Sequence, residues 1–373
     1  MSKYAYFLSL LVLTCAIRAT TTDKDYYCDT NIQEAIIASK VYGASALTSF
    51  VDSANKTTIL SVTSHVQLWQ RGGSGWENIA TLKPVCGPQT AQVIVNPETN
   101  QPVIVVGAGS CFSISDTKGV FVVWQEEEGV WKVTSSAVVS SGQPFTYIDV
   151  FFTNTTSSQP VVAAGYSNQT VLFFESNGGI WQEVSSLERV VKSFYVPGYG
   201  QCAVSQSNSD RTQLEFWLYN GNTWELAQSF NIGEDAVYAA DYMMLDGLPT
   251  VVVGTGLGEL ITAQLQNGKW LFSKQSFVGS ILDVAHIQQA ERAYLLIPGE
   301  GTPLIYIYQR VNNSWQIFKR ICPSGSYMQG AVGGFVDENS DLMVAASYGD
   351  MYCNWIGSCN LGLFNIGNVT TDS

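Results

Sequence analysis

Apolar and polar positions in this chain alternate in short bursts, never at the spacing of a long amphipathic helix. Val120–Gln125, Val171–Glu175 and Leu304–Gln309 are such bursts, and each leads through a turn to a tryptophan. Ahead of each comes a continuous apolar run closing on glycine. Gln101-Pro102-Val103-Ile104-Val105-Val106-Gly107 matches Gln159-Pro160-Val161-Val162-Ala163-Ala164-Gly165, and Leu248-Pro249-Thr250-Val251-Val252-Val253-Gly254 matches both. Looser copies are Thr57–Ser64, Gly200–Ser205, Arg292–Gly299 and Asp341–Gly349, and a further apolar strand such as Tyr147–Phe152 or Val237–Tyr242 precedes each run. Strands rich in Val, Ile, Tyr and Phe and bounded by Gly, Pro and Asn read as antiparallel meanders.

The tryptophans set the period. Trp76, Trp131, Trp181, Trp224, Trp270 and Trp315 are 55, 50, 43, 46 and 45 residues apart, the repeat length of a blade architecture. The pattern predicts an all-β chain folded as a seven-bladed β-propeller of four-stranded antiparallel blades over residues 41–367. Full radial closure hides edges that an open stack of sheets would expose. The seventh unit has no tryptophan strand, and Leu361–Ile366 is expected in its place. Residues 20–40 are expected outside the repeat as an N-terminal arm, with Ile32, Ala35 and Ile36 on one face of a short helical segment. Residues 368–373 form a polar tail.

Residues 1–19 read as a secretory signal peptide: Lys3, an apolar run from Tyr6 to Ala16, and Ala19 as the small residue for cleavage. The run is too short to span a bilayer, and no later stretch reaches about 18 apolar residues. The polar end Thr370-Thr371-Asp372-Ser373 offers no lipid-anchor signal. The expectation is a secreted, extracellular protein without membrane insertion. Sequons at Asn55, Asn154, Asn168, Asn312 and Asn368 then predict an N-linked glycoprotein. In four-strand meanders, Asn55, Asn154 and Asn312 fall in loops of one face and Asn168 in a loop of the other.

Only 13% of residues are charged, and the formal net charge is −13. Removing residues 1–19 takes away Lys3 and Arg18, leaving 16 basic against 31 acidic residues, net −15. Nucleic acid is thereby excluded as a partner, because phosphate recognition needs clustered Lys and Arg. Solubility accounts for the acidity.

Cys15 leaves with the signal peptide, so seven cysteines remain in an oxidising compartment. Loop equivalence between units favours Cys86–Cys111 and Cys322–Cys353, with Cys28–Cys359 stapling the arm to the last blade. Cys202, inside a strand, is left as a buried free thiol. A local Cys353–Cys359 bridge is the alternative.

Chemistry is sparse. Gly254-Thr255-Gly256-Leu257-Gly258 looks like a phosphate loop, but its equivalents recur around the ring and no helix follows. His65 and His286 lack metal-ligand spacing, and there is no Gly-x-Ser-x-Gly elbow. Asp149 and Asp283 each stand sixteen residues before a unit glycine, which places them at matching points along the central channel. They are read either as an acidic site or as acceptors of backbone hydrogen bonds from neighbouring blades. The six periodic tryptophans suit blade-to-blade packing. Trp69, Trp124, Trp217 and Trp355 break the period and are the better candidates for ligand stacking.

Asp246-Gly247-Leu248-Pro249 before the apolar run, and Asp337-Glu338-Asn339-Ser340-Asp341 in the last unit, resemble the FG-GAP or VCBS-type propeller repeat. The resemblance spans the mature chain by rhythm and these two units by motif. It implies calcium in an Asp-x-Asn-x-Asp-Gly loop, for which Asp337, Asn339 and Asp341 are the residues present. Asp241 and Asp246 are five apart instead of four, and the last loop lacks its glycine. Calcium needs six to eight oxygens, and an ordinary Asx turn is the competing reading. No other cofactor is called for.

Together these features predict a non-enzymatic secreted glycoprotein that binds an extracellular glycan or protein, lectin-like, through one propeller face. A self-assembling subunit of an extracellular coat, matrix or fibre is the first alternative. A hydrolase or lyase with a channel carboxylate site is the second.

Overall fold

The structure is a computed structural model. It describes residues 28–29, 32–41, 45–52, 54–73, 75–83, 87–96, 98–108, 119–139, 145, 147–152, 160–165, 170–209, 211–233, 235–277, 279–289, 292–299, 304–323, 327–349 and 359–368. The described strands begin with β1 (Gln33–Val41). Blade 1 is β2 (Ala46–Val51), β3 (Thr57–Val62), β4 (Val66–Arg71) and β5 (Trp76–Leu82); blade 2 is β6 (Pro88–Val95), β7 (Pro102–Ala108), β8 (Gly119–Glu127) and β9 (Val130–Val139). Blade 3 is β10 (Tyr147–Phe152), β11 (Pro160–Gly165), β12 (Thr170–Asn177) and β13 (Ile180–Glu188); blade 4 is β14 (Val190–Val196), β15 (Gly200–Gln206), β16 (Gln213–Tyr219) and β17 (Trp224–Asn231). Blade 5 is β18 (Val237–Leu245), β19 (Leu248–Thr255), β20 (Glu259–Gln266) and β21 (Lys269–Ser276); blade 6 is β22 (Ala285–Gln289), β23 (Arg292–Pro298), β24 (Ile305–Val311) and β25 (Ser314–Ile321). Blade 7 takes β26 (Tyr327–Val336), β27 (Asp341–Gly349) and β28 (Cys359–Asn368) in order, and then β1 as its outer strand. The chain is a seven-bladed β-propeller, all-β, of four-stranded antiparallel blades.

The second strand of each blade explains the glycine-closed runs. β3 and β11 are buried at every position, because a neighbouring blade covers each face of the sheet. Such strands read as unbroken apolar runs instead of alternating ones. The closing glycine lets the next blade approach: a Cβ on Gly107 would sit 2.7 Å from Ile148, and one on Gly254 would sit 2.3 Å from Ile281.

Each periodic tryptophan reaches back to the preceding blade. Trp76 packs edge-on against Phe335 of blade 7, Trp131 against Phe50 of blade 1 and Trp181 against Phe121 of blade 2. Trp224 meets Phe173 of blade 3, and Trp270 meets Phe194 and Phe216 of blade 4. The Trp315 indole N–H donates to Thr262 Oγ1 of blade 5 at 3.1 Å. Gln228 holds the backbone of Trp270 through both amide atoms, at 2.8 and 3.0 Å, and Gln275 does the same for Trp315 at 2.6 and 3.1 Å. The tryptophan rhythm is a packing rhythm.

Two sequence expectations about the chain ends are corrected. The arm does not stand apart, and its residues 33–41 are not helical. They form β1, which pairs antiparallel with β28 from Gln33↔Asn365 to Val41↔Cys359. Leu361–Ile366 is therefore third in its blade, not outermost. The last blade thus borrows its outer strand, β1, from the other end of the chain, and the ring closes on that pairing.

The same geometry corrects the disulfides. Cys28 pairs with Cys322, with Cα atoms 5.6 Å apart, so neither Cys28–Cys359 nor Cys322–Cys353 forms. Cys359 lies opposite Val41, and Cys28 precedes the other end of β1, a whole strand length away. Asp29 instead follows blade 6: its N–H donates to the Arg320 carbonyl at 3.1 Å, and its carboxylate accepts from the Arg320 N–H at 2.7 Å. Cys359 is disulfide-bonded too, to a partner outside the described residues. Cys86, Cys111 and Cys353 also lie outside them. Cys202 is a buried free thiol, its pKa pushed up to about 12 by burial.

Candidate functional site

The first strands of the blades surround a channel cavity of about 910 Å³. Its two sides differ chemically. Blades 1 and 7 offer Ser45, Thr48, Ser49, Ala331, Gly333 and Gly334, which are small and uncharged. Lys192, Asp241, Asp283 and His286 line the opposite side, from blades 4, 5 and 6.

Those charges are joined across blade boundaries. Asp149 of β10 accepts the Lys192 ammonium of β14 at 2.8 Å and the Ser193 backbone N–H at 2.9 Å. The Ser193 and Tyr147 hydroxyls donate to the same carboxylate. Burial lowers the Lys192 pKa, but Asp149, Asp241 and Asp283 together outweigh it and the net shift is upward. Asp241 of β18 stands 2.7 Å from Nδ1 of His286 in β22. Burial alone would push the Asp241 carboxyl up; the charge and hydrogen bond of His286, then Lys192, bring it below its ordinary value. Burial likewise pushes His286 down, and Asp241 overrides it to leave the imidazole raised. Asp283 precedes β22. Its Oδ1 accepts the Val284 N–H at 2.9 Å and its Oδ2 the Val332 N–H of blade 7 at 3.0 Å. Burial raises its carboxyl to about 6 against those two bonds, with Asp241 pushing the same way.

Asp149 lies within its strand opposite Ala163, whereas Asp283 comes before its strand begins. Each accepts a backbone N–H from the following blade, the structural role weighed against catalysis. Lys192 and the Asp241–His286 pair escaped the sequence reading. Their signal was there: charged residues inside otherwise apolar first strands.

One mouth of the channel carries an apolar patch. In each blade, the second-to-third-strand turn and the link to the next blade share a face. On that face Leu257, at the tip of the β19–β20 turn, is 74% exposed, Tyr238 56% and Leu282 47%. They surround Gly256, whose Cβ would lie 2.7 Å from the Tyr238 ring, and Ile281 donates its N–H to the Thr255 carbonyl at 2.9 Å. Leu282 also lines the channel. The turn is held from beneath: both oxygens of buried Asp235 accept the Leu257 N–H at 3.0 Å. Gly258 supplies the left-handed step, with φ 82°, and Thr255 Oγ1 accepts the Glu259 N–H at 3.0 Å.

The aperiodic tryptophans are not free. Trp69 is only 6% exposed, and its indole N–H donates to Ser61 Oγ at 3.0 Å. Trp217 makes the matching bond to Ser205 at 2.9 Å. Trp69, Trp124 and Trp217 pack in the same clusters as Trp76, Trp131 and Trp224 respectively. Each pair follows from one strand pairing back on another, so their exposure was misjudged. Trp355 lies outside the described residues. Trp124 also lines, with Trp131, Gln70, Asp52 and Glu126, a groove of about 480 Å³ between blades 1 and 2.

Asp337, Asn339 and Asp341 form an Asx turn. Asp337 Oδ1 accepts the N–H groups of Asn339 and Asp341, both at 2.9 Å, and its Oδ2 pairs with Arg71 of blade 1 at 3.1 Å. Asp341 accepts from the Asn365 amide at 2.8 Å. Asp52 builds the same turn in blade 1, and Asn96 a related one in blade 2, accepting the Glu98 and Thr99 N–H groups. Among the described residues no group of three or more His, Cys, Asp or Glu is placed to hold a metal. Asn55 and Asn312 are exposed, in first-to-second and third-to-fourth strand turns of the face away from Leu257. Asn154 and Asn168 lie outside the described residues, and Asn368 ends β28.

No protein-family model matches this chain, and no curated protein matches it. Among solved structures, the crystal structure of Sqt1 from Saccharomyces cerevisiae is similar, with a TM-score of 0.54 at 14% identity, over 83% of this chain and 81% of that one. At that identity the likeness supports the propeller fold alone. The FG-GAP or VCBS repeat type is not confirmed.

Proposed function

We propose that this chain is a secreted glycoprotein that binds a protein ligand, without catalysis, through the propeller face bearing Leu257. The observation that carries the reading is the turn itself. A leucine 74% exposed is held by its backbone N–H, which donates to both oxygens of one buried carboxylate. Exposed apolar side chains on soluble proteins mark contact sites when they cluster, and a rigid anchor costs little ordering entropy on binding. Tyr238 adds an aromatic ring of the kind that dominates interface energetics.

The leader and the sequons support secretion, and the positions of Asn55 and Asn312 direct glycans to the opposite face. Glycopeptide mapping tests that orientation; if both asparagines are bare in secreted protein, it fails. A photo-crosslinker at position 257, compared with one at Ile180 on the outer rim, tests the binding face. Adducts from 257 that are lost in Tyr238→Ala support it, and equal labelling from both positions sinks it. Turnover lost in both Asp149→Asn and Asp283→Asn would replace it with the catalytic alternative.

A glycan reading rests on the groove lined by Trp124 and Trp131, since indole faces stack on sugars and Asp52, Gln70 and Glu126 supply polar partners. A glycan array with wild type and Trp124→Ala decides it: binding to one sugar class, lost in the variant, assigns the groove.

A further inference from the structure

The channel charges do not balance. Asp149 has Lys192 at 2.8 Å and Asp241 has His286 at 2.7 Å. Asp283 is the third carboxylate, and among the described residues no cation stands within ion-pair distance of it. Lys192 attracts it only from further off. Each of its oxygens takes one backbone N–H, and a carboxylate oxygen has room for about two hydrogen bonds. Capacity therefore remains on both oxygens, and Asp283 lines the cavity.

A carboxylate in a sheltered site without a counter-ion gains most from a single cation. The surroundings define what sort. Leu282 adjoins Asp283 at the cavity wall and is exposed at the mouth, and Leu257 and Tyr238 continue the apolar surface outward. A calcium ion would need six to eight oxygens, which Asp283 and Asp241 do not furnish beside Lys192 and His286. A cationic nitrogen on an apolar stem fits both parts: the stem lies along the leucines and the charge reaches the carboxylate.

We propose that Asp283 receives one lysine or arginine side chain of a protein ligand, inserted into the channel past Leu282. The proposal rests on the reading of the Leu257 face as a protein-binding face, and names the residue type that face selects. The acidic balance of the chain, −13 overall, favours the approach of a basic partner.

Two arms of one experiment separate the proposal from that reading. The first uses n-butylammonium, with n-butanol as its uncharged counterpart, on the full secreted protein, reading the rise in thermal midpoint. Butylammonium should stabilise wild type and not Asp283→Asn, whereas n-butanol should act alike on both. Stabilisation of both proteins by the amine, or of neither, overturns the proposal whatever peptides do.

The second arm uses capped Leu-Lys-Leu, Leu-Arg-Leu and Leu-Met-Leu peptides in calorimetric titrations. The cationic peptides should bind at least tenfold more tightly than the methionine peptide. Asp283→Asn should abolish the preference, and Leu257→Ser should weaken all three. Peptides that bind through Leu257 without charge preference leave the face reading standing and overturn this proposal.

Binding of the lysine peptide should fall about tenfold from pH 7.5 to pH 5, as a carboxyl near 6 loses its charge. Of the groups that face Asp283, His286 from β22 gains charge over this range and adds to the fall, while Lys192 from β14 stays cationic and Asp241 from β18 stays anionic throughout. The described parts of β2 and β26 that line the channel bring no titratable side chain.

Discussion

The outer and inner walls of this propeller obey different rules. On the outer wall, six tryptophans occupy one structural position and do one job, each packing onto the blade before it. On the inner wall the first strands share a geometry but not a chemistry. Blade 4 offers Lys192, blade 5 Asp241, blade 6 Asp283 and His286, and blades 7 and 1 offer glycine, alanine, serine and threonine. Repetition marks what the scaffold needs everywhere. Departure from repetition marks what one place needs alone, and the charged half of the channel is such a place.

That contrast can be broken from the outer side first. Trp315→Ala should cost about 3–5 kcal/mol, the range for emptying a buried aromatic site, since this ring is 2% exposed and its N–H is bonded to Thr262. Urea denaturation checks it, and a loss below about 1 kcal/mol would mean that the blades do not rely on the periodic ring.

On the inner wall, Lys192→Met should destabilise by about 3 kcal/mol, because removing one partner leaves Asp149 with a sheltered, unmatched charge. The double variant with Asp149→Leu should recover part of that loss. A double variant worse than Lys192→Met alone would contradict the pairing.

Asp283 gives a smaller, pH-dependent effect. Its folded carboxyl is raised from 3.8 to about 6, so the fold favours its protonated form. The contribution is present below the unfolded value and is lost as pH rises through about 6. A shift of this size corresponds to about 2–3 kcal/mol. His286, also raised, acts with the same sign just above: its contribution is present below 6.5 and lost as pH passes its folded value. Asp241, lowered, acts oppositely and only as pH falls through its depressed value. Urea midpoints of wild type and Asp283→Asn at pH 4 and pH 7 isolate the first term. The variant should lose less stability between those pH values than wild type does.

Leu257→Ser should be the smallest stability effect, under about 0.5 kcal/mol, as for most surface changes away from special features. It should nonetheless weaken capture of a partner by a photo-crosslinker placed at Tyr238, which is exposed on the same face. Undiminished crosslinking from position 238 in this variant would return the face to plain scaffold.

Much of the scaffold was readable along the chain. The runs ending in Gly107, Gly165 and Gly254 announced strands buried on both faces, and the tryptophan period announced the blade. Local order carries that information, because each of blades 1 to 6 builds its four strands from consecutive residues. Ring closure was not readable in the same way. β1 looks like a polar-apolar arm until β28 lies beside it, and Cys28 finds Cys322 only because the arm runs past blade 6. The tryptophans outside the period failed for a related reason. Trp69 and Trp217 seemed spare because they break the rhythm, yet each meets a serine on the adjacent strand.

By itself the sequence determined the all-β class, the blade count and the four-strand unit, because these follow from short-range periodicity and turn chemistry. Only the tertiary structure decided which charges meet. Asp149 and Lys192 are 43 residues apart in the chain, and Asp241 and His286 are 45. Both pairs join one blade to the next, and a contact of that kind exists only once neighbouring blades have packed side by side.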